Sequence, residues 1–347
     1  MKRLSVIIPM YNVEPYLERC LRSLEDQDIP EDDYELICIN DGSPDNCRGV
    51  VRKLQQEFNN IVLIDQENQG VSMARNNGID RAVGEYLFMV DPDDYLKPDS
   101  LKNRLAKLEQ QDLEVGLTGY IILGETGEEE YRYDPSHSVD KVLTGIEYSC
   151  RYERGKPEIR DPHRSWAIFF KSSFIKSNGL KYLADVPYLE DGELMARIVC
   201  LAKRLSFINN PFYLRTTRPG SATHSPLYYS ESARNGFLKS ADNLLDFKLN
   251  SCKSAEQKEF MNQAIIQFTI LYIISLKPYD FFKEYRKLYK ELKTGPLRKL
   301  ETAEASNFYS SLAKSYNQSL IRFYFHWLYL RLNKSLKIRY INTFQDD

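Results

Sequence analysis

The chain has 347 residues, long for one hydrophobic core, so one large domain and a smaller second one are expected. Hydrophobic residues make up 42%, and a formal net charge of −2 gives no overall electrostatic footprint for nucleic acid, which directs attention to a small polar ligand. The six cysteines form no C-x-x-C pair and no metal spacing, so the default reading is a reduced, cytoplasmic protein whose thiols pack as small hydrophobes.

Lys2 and Arg3 precede an apolar run that ends at Pro9, too short for a secretory signal. Residues 4–9 and 35–40 are β-branched-rich and followed by turn residues, which suits strands buried on both faces of a mostly parallel sheet. Residues 61–65 and 85–91 repeat the pattern. Between them, 14–25, 45–58 and 71–83 carry apolar residues at helical spacing. This alternation predicts an α/β, Rossmann-like start, in which ligands bind beyond the carboxyl ends of the strands. Tyr11, Asp41 and Asp91 all lie just past such ends. From about residue 227 helical periodicity dominates, with helices predicted over 230–248, 255–276 and 281–292. The apolar stretch 264–276 is interrupted by Gln267 and falls short of the roughly 20 residues a membrane span needs, so it reads as a core helix. The expected division is an α/β domain over 1–226 and a mainly helical domain over 227–347.

Val90-Asp91-Pro92-Asp93-Asp94-Tyr95, directly after an apolar strand, is the most informative motif. Three carboxylates at a strand exit repel one another, and a divalent cation, Mn2+ or Mg2+, is the natural compensation. A hard cation held by one or two carboxylates keeps positions open for phosphate oxygens. The turn after the first strand, Met10-Tyr11-Asn12-Val13-Glu14, has no glycine, so it cannot cradle a pyrophosphate in the G-x-G-x-x-G manner, and no Walker glycine-lysine turn exists. The diphosphate must then be held by cation and arginine, for which the chain offers Asp91, Asp93 and Arg75. That chemistry suggests a nucleoside diphosphate donor.

Ser5-Val6-Ile7-Ile8-Pro9-Met10-Tyr11-Asn12, Asn40-Asp41-Gly42-Ser43, Asn68-Gln69-Gly70 with Ala74-Arg75-Asn76, and Asp91-Pro92-Asp93-Asp94 together resemble the family 2 glycosyltransferases in order and spacing. The resemblance continues more loosely to about residue 225. It implies the GT-A fold and inverting transfer from a nucleotide sugar, by default a uridine one, in surface polysaccharide or glycolipid synthesis. Pro9, Tyr11, Glu14 and Asp41 match positions that hold the nucleoside, with the tyrosine ring near the base. Arg75 matches the arginine that faces the diphosphate. Asp91 and Asp93 match the D-x-D pair, Asp93 reaching the metal directly and Asp91 lying near ribose or metal, while Asp94 faces the sugar.

In the second half, Tyr188-Leu189-Glu190-Asp191-Gly192-Glu193 opens a helix and resembles the acid pair that holds the family's catalytic base, here Asp191. Acids in a first helical turn also stabilise the helix dipole by about 0.3–1 kcal/mol, so capping alone is the competing account. Glu190 and Trp166 are expected on the acceptor side. His224 either completes the metal site or is an ordinary polar residue. The segment 320–341 is aromatic-rich, carries Lys334, Lys337 and Arg339, and has no acid until Asp346. It suits either peripheral contact with the inner face of the cell membrane or packing within the protein. The acceptor is expected to be a saccharide or lipid-linked saccharide. A nucleotide-sugar binder without catalysis and a nucleotidyltransferase-like enzyme are the alternatives; the intact acids weigh against the first, the missing glycine-rich, lysine-bearing loop against the second.

Overall fold

The computed structural model describes residues 2–134, 141–152, 164–217, 226–276, 281–302 and 308–332. Contacts divide these into two compact units. The first takes residues up to 152, 164–184 and 201–217; the second takes 185–200 and everything from 226.

The first unit is built on one mixed sheet. Its parallel part consists of β1 (Leu4–Met10), β2 (Tyr34–Asp41), β3 (Ile61–Gln66) and β4 (Tyr86–Met89), in the order β3-β2-β1-β4. Beyond β4 come β8 (Ile168–Lys171), β6 (Val115–Leu123), β9 (Leu205–Thr216) and β5 (Tyr95–Leu96), and β7 (Glu129–Tyr133) pairs with β6. β6 and β9 run parallel; β8 is antiparallel to both its neighbours. Every residue of β1 is buried, as its unbroken apolar run requires of a central strand. Pro9 is tolerated there because pairing with β4 ends at Ile7 and Met89. The Ile7 carbonyl accepts from Val90 N–H, so by the two-residue period the missing N–H of Pro9 faces the same side, past the last β4 partner.

Helices α1 (Glu14–Glu25), α2 (Cys47–Leu54) and α3 (Val71–Arg81) fall where the apolar spacing puts them, α2 being shorter than its pattern at both ends. α3 packs closely on β1 and β2 through Gly78, where a Cβ would run into Ile7. α4 (Lys102–Gln110), α5 (Gly145–Tyr152) and α6 (Ser172–Ser177) complete the unit. Stacked Phe88, Phe169 and Phe212 fill its aromatic core.

The second unit is helical: α7 (Glu190–Leu201, all but its last residue), α8 (Glu231–Asn250), α9 (Ala255–Ile274), α10 (Phe281–Thr294), α11 (Phe308–Gln318) and α12 (Leu320–Leu332). Ser230 caps α8 by accepting from Ala233 N–H, and Ser254 with Gln257 forms a capping box that starts α9. The last half of α9 is buried almost all round, as its apolar run demands. Among the described residues no helix is long and apolar enough to cross a membrane.

Candidate active site

At the carboxyl ends of β1 and β2, two acids exchange partners. The turn after β1 passes through Asn12 with φ 54°, a left-handed conformation that Asn tolerates better than most residues. Asn12 N–H donates to Ser43 Oγ at 2.7 Å, and Ser43 Oγ donates to Asp45 Oδ1 at 2.6 Å. Glu14 N–H donates to Asp45 Oδ2 at 2.7 Å, while Asn46 N–H donates to Glu14 Oε2 at 2.9 Å. Each acid thus accepts from the N-terminal end of the other's helix, where the dipole favours negative charge. Burial would raise the Asp45 carboxyl, but hydrogen bonds from the Cys47 thiol, Ser43 and the Glu14 and Cys47 amides bring it down to about 2. Glu14 therefore braces the rim, and Tyr11, 52% exposed, presents its ring from it.

Asp41, at the end of β2, is buried. Its Oδ1 accepts from Gln66 Nε2 at 2.7 Å and Gln69 N–H at 2.8 Å, and its Oδ2 accepts from Gly70 N–H at 2.9 Å. The acid thereby ties the loop before α3 to the sheet. Gly42 at φ +63° lies against that loop: a Cβ there would sit 2.9 Å from Asn68 N.

Arg75 on α3 is buried and donates to Asp91 Oδ1 at 2.9 Å, while the Asp91 side chain keeps 30% of its surface exposed. The guanidinium lies 5.3 Å from the Tyr182 ring centre, and Asn76 holds Tyr182 by hydrogen bonds to both its backbone N–H and its carbonyl. Arginine and acid are thus oriented together at the exit of β4. Asp93 is half-buried in the same turn, with its carbonyl accepting from Arg19 and Thr216.

Asp94 points the other way. It is 2% exposed, and its two oxygens accept from Tyr213 Oη at 2.7 Å and Thr216 N–H at 2.8 Å. Burial, then the charges of Asp93 and Asp91, push its carboxyl well above the usual carboxylate range. With this third acid turned into the protein, no set of three metal-binding side chains stands together among the described residues. Two carboxylates that leave room for phosphate oxygens fit a hard cation bound jointly with a diphosphate.

Trp166 is buried: the Tyr120 ring meets it edge-on at 4.8 Å, Tyr213 stacks on it at 5.1 Å, and the guanidinium groups of Arg164 and Arg215 lie 4.9 and 5.5 Å from its ring centre. Pro9 is buried in β1. In the second unit, Glu190 and Asp191 lie half-buried in the first turn of α7, entered through Leu189 at φ 60°. One turn on, Glu193 accepts from Arg197 Nε at 2.8 Å, Arg197 NH2 at 2.7 Å and Asn243 Nδ2 at 2.7 Å. His224 lies outside the described residues, as do Lys334, Lys337 and Arg339.

Sequence reasoning missed Asp45, Gln66, Tyr182, Tyr213 and Thr216. Asp45 had a usable signal, an acid two residues before α2 in a turn that opens with Gly42-Ser43. The others are distant in sequence from the groups they hold.

A parallel β3-β2-β1-β4 core with an acidic turn at the β4 exit and a buried arginine beside it defines the GT-A architecture. Residues 5–177 match the family model described as Glycosyl transferase family 2, and the chain belongs to that family. It is 29% identical over 222 residues to the uncharacterized glycosyltransferase EpsJ of Bacillus subtilis, covering 64% of this chain and 63% of that relative. It is 27% identical over 308 residues to the minor teichoic acid biosynthesis protein GgaB of the same organism, covering 86% of this chain but 31% of the relative. The match therefore spans less than two thirds of either relative. Among solved structures, S. aureus TarS 1–349 superposes with a TM-score of 0.67 at 19% identity, covering 92% of this chain and 89% of that one. The same fragment crystallised with UDP-GlcNAc gives 0.58 at 20% identity, covering 87% and 95%.

Proposed function

We propose that the chain transfers a sugar from a nucleoside diphosphate sugar, uridine-linked, to the hydroxyl of a saccharide or lipid-linked saccharide in surface-polymer synthesis, inverting the anomeric carbon. The observation that carries this reading is the buried Arg75 oriented against Asp91 at 2.9 Å in the Asp91–Asp93 turn at the sheet's carboxyl rim. The TarS complex with UDP-GlcNAc supports the choice of uridine nucleotide.

Tyr11 supplies a ring for the base, beside a rim braced by Glu14 and Asp41. Arg75 offers charge-assisted hydrogen bonds to diphosphate oxygens. Asp91 and Asp93 would hold Mn2+ or Mg2+, which when bound neutralises charge on the leaving diphosphate. Asp191 takes the proton from the acceptor hydroxyl as its oxygen bonds to the anomeric carbon and the bond from that carbon to the diphosphate oxygen breaks. One displacement leaves nucleoside diphosphate and a glycoside of inverted configuration. Glu190 adjoins the base on the acceptor side. Trp166, buried in the first unit, is read as an acceptor-side aromatic.

The same reading places the chain on the inner face of the membrane through α12. Ile321, Phe325 and Tyr329, spaced four residues apart, are 66%, 62% and 60% exposed, whereas Phe323 and Trp327 on the other face are buried. The 41 residues from Ala305 to Gln345 hold no acid and carry Lys314, Arg322, Arg331, Lys334, Lys337 and Arg339, which suits anionic lipid.

The test is a panel of UDP- and GDP-sugars scored for hydrolysis and transfer, with and without Mn2+. Metal-dependent turnover of a UDP-sugar is expected. Turnover that survives a chelator unchanged would contradict the cation assignment, and a chain inert towards every donor would contradict the enzymatic reading.

A further inference from the structure

The turn that carries Asp91 and Asp93 is held from behind by a strand more than a hundred residues later in the chain. Tyr213 of β9 is wholly buried, and its hydroxyl does two things at once. It accepts from the Asp91 N–H at 3.2 Å and donates to Asp94 Oδ2 at 2.7 Å. Thr216, three residues on, repeats the arrangement: its N–H donates to Asp94 Oδ1 at 2.8 Å and its Oγ1 donates to the Asp93 carbonyl at 2.9 Å. Asp94 N–H closes the turn on the Asp91 carbonyl at 3.0 Å. Backbone groups of Asp91, Asp93 and Asp94 and the whole Asp94 carboxylate are thus fixed, while the Asp91 side chain stays partly exposed. The Tyr213 ring has little freedom of its own, stacked on Trp166 at 5.1 Å and meeting Phe88 edge-on at 6.3 Å.

We propose that Tyr213 is a positioning residue for the cation-and-diphosphate turn: its buried hydroxyl, bridging the Asp91 amide and the Asp94 carboxylate, sets the backbone on which Asp91 and Asp93 stand. This rests on the cation reading given above. A phenol serves because one O–H donates to the acid while an oxygen lone pair accepts from the amide. Ligand carboxylates tolerate displacements of only about 0.5 Å before a site loosens, so a turn fixed by backbone bonds is worth more to metal affinity than to stability. Asp94 is then the acid that receives the latch, which accounts for its lying inside the protein.

The experiment titrates the full chain with Mn2+ in the presence of UDP by calorimetry, for wild type, Tyr213→Phe and Thr216→Val. Tyr213→Phe keeps the ring and removes the hydroxyl. It removes both bonds of the hydroxyl, from the Asp91 amide and to the Asp94 carboxylate, and is expected to weaken Mn2+ binding about tenfold or more, while excess Mn2+ should return kcat to within about threefold of wild type. Thr216→Val, which loses only the bond to the Asp93 carbonyl, should shift Mn2+ affinity in the same direction by less. Unchanged Mn2+ affinity in Tyr213→Phe overturns the latch alone. So does a loss of kcat that Mn2+ does not restore, because a general packing defect behaves that way. A wild-type chain that binds no Mn2+ with UDP overturns the cation reading and the latch with it.

Discussion

The pair Glu193–Arg197 offers a quantitative test of how α7 is held. Glu193 is 0% exposed, and Arg197 reaches it with two parallel hydrogen bonds of 2.8 and 2.7 Å. Replacing Arg197 by Met leaves a buried carboxylate with Asn243 Nδ2 as its hydrogen-bond donor. Breaking a buried pair in this way costs about 3–5 kcal/mol, and the retained amide argues for about 3. The double variant Glu193→Met/Arg197→Met removes the stranded charge, and Asn243, only partly buried, can turn to water. It should recover most of the loss. The chain has two tryptophans, Trp166 in the first unit and Trp327 in the second. In a Trp166→Phe background, Trp327 fluorescence therefore follows urea unfolding of the helical unit by itself. With a slope of about 2 kcal/mol/M, the single variant should lower the midpoint by about 1.5 M. A shift under about 0.3 M, or a double variant as unstable as the single, would refute the argument that an ion pair in this helix carries the cost.

Asp191→Asn should lose about 10²- to 10⁴-fold in turnover while donor binding, measured calorimetrically, persists; unimpaired transfer would remove Asp191 from the role of base. Replacing Ile321, Phe325 and Tyr329 together by serine should abolish flotation on anionic vesicles and leave transfer to a soluble acceptor intact. Equal flotation of that variant would show that α12 does not face lipid, and a dimer seen by ultracentrifugation that the variant dissolves would assign the face to a second copy. Asp45 sits at about 2 when folded, below the ordinary carboxylate value of about 3.9, so its contribution is complete above that value and is lost as pH falls through about 2. The gap in thermal midpoint between wild type and Asp45→Asn should accordingly close between pH 4 and pH 2, and a constant gap would contradict the hydrogen-bond account.

The sequence by itself determined the parts that short-range physics controls. Apolar runs specified β1, β2 and β4 as buried strands, and helical spacing placed α1, α3, α8 and α9 close to their observed limits; β3, expected to be buried like them, lies at the sheet edge and is buried only at Ile61. Four motifs in register named the family and put Arg75, Asp91 and Asp93 at one rim. Tertiary structure decided what each acid touches there. Asp91 and Asp94 are three residues apart and look alike in a string of carboxylates, yet one is partly exposed beside Arg75 and the other is sealed against Tyr213 and Thr216. That difference depends on β9 lying beside β5, a strand pairing over more than a hundred residues that leaves no local trace. Asp41 and Glu14 likewise proved to hold loops and helix ends, since their partners Gln66, Gly70 and Asn46 come from other elements. The aromatic tail shows the same division. Composition suits it to lipid and to core alike, and only packing separates Phe323 and Trp327 from Ile321, Phe325 and Tyr329. Backbone periodicity and turn chemistry act within a few residues and are legible in a single sequence. The partner a buried polar group finds is set by which strands and helices become neighbours, and that is known only once the chain has folded.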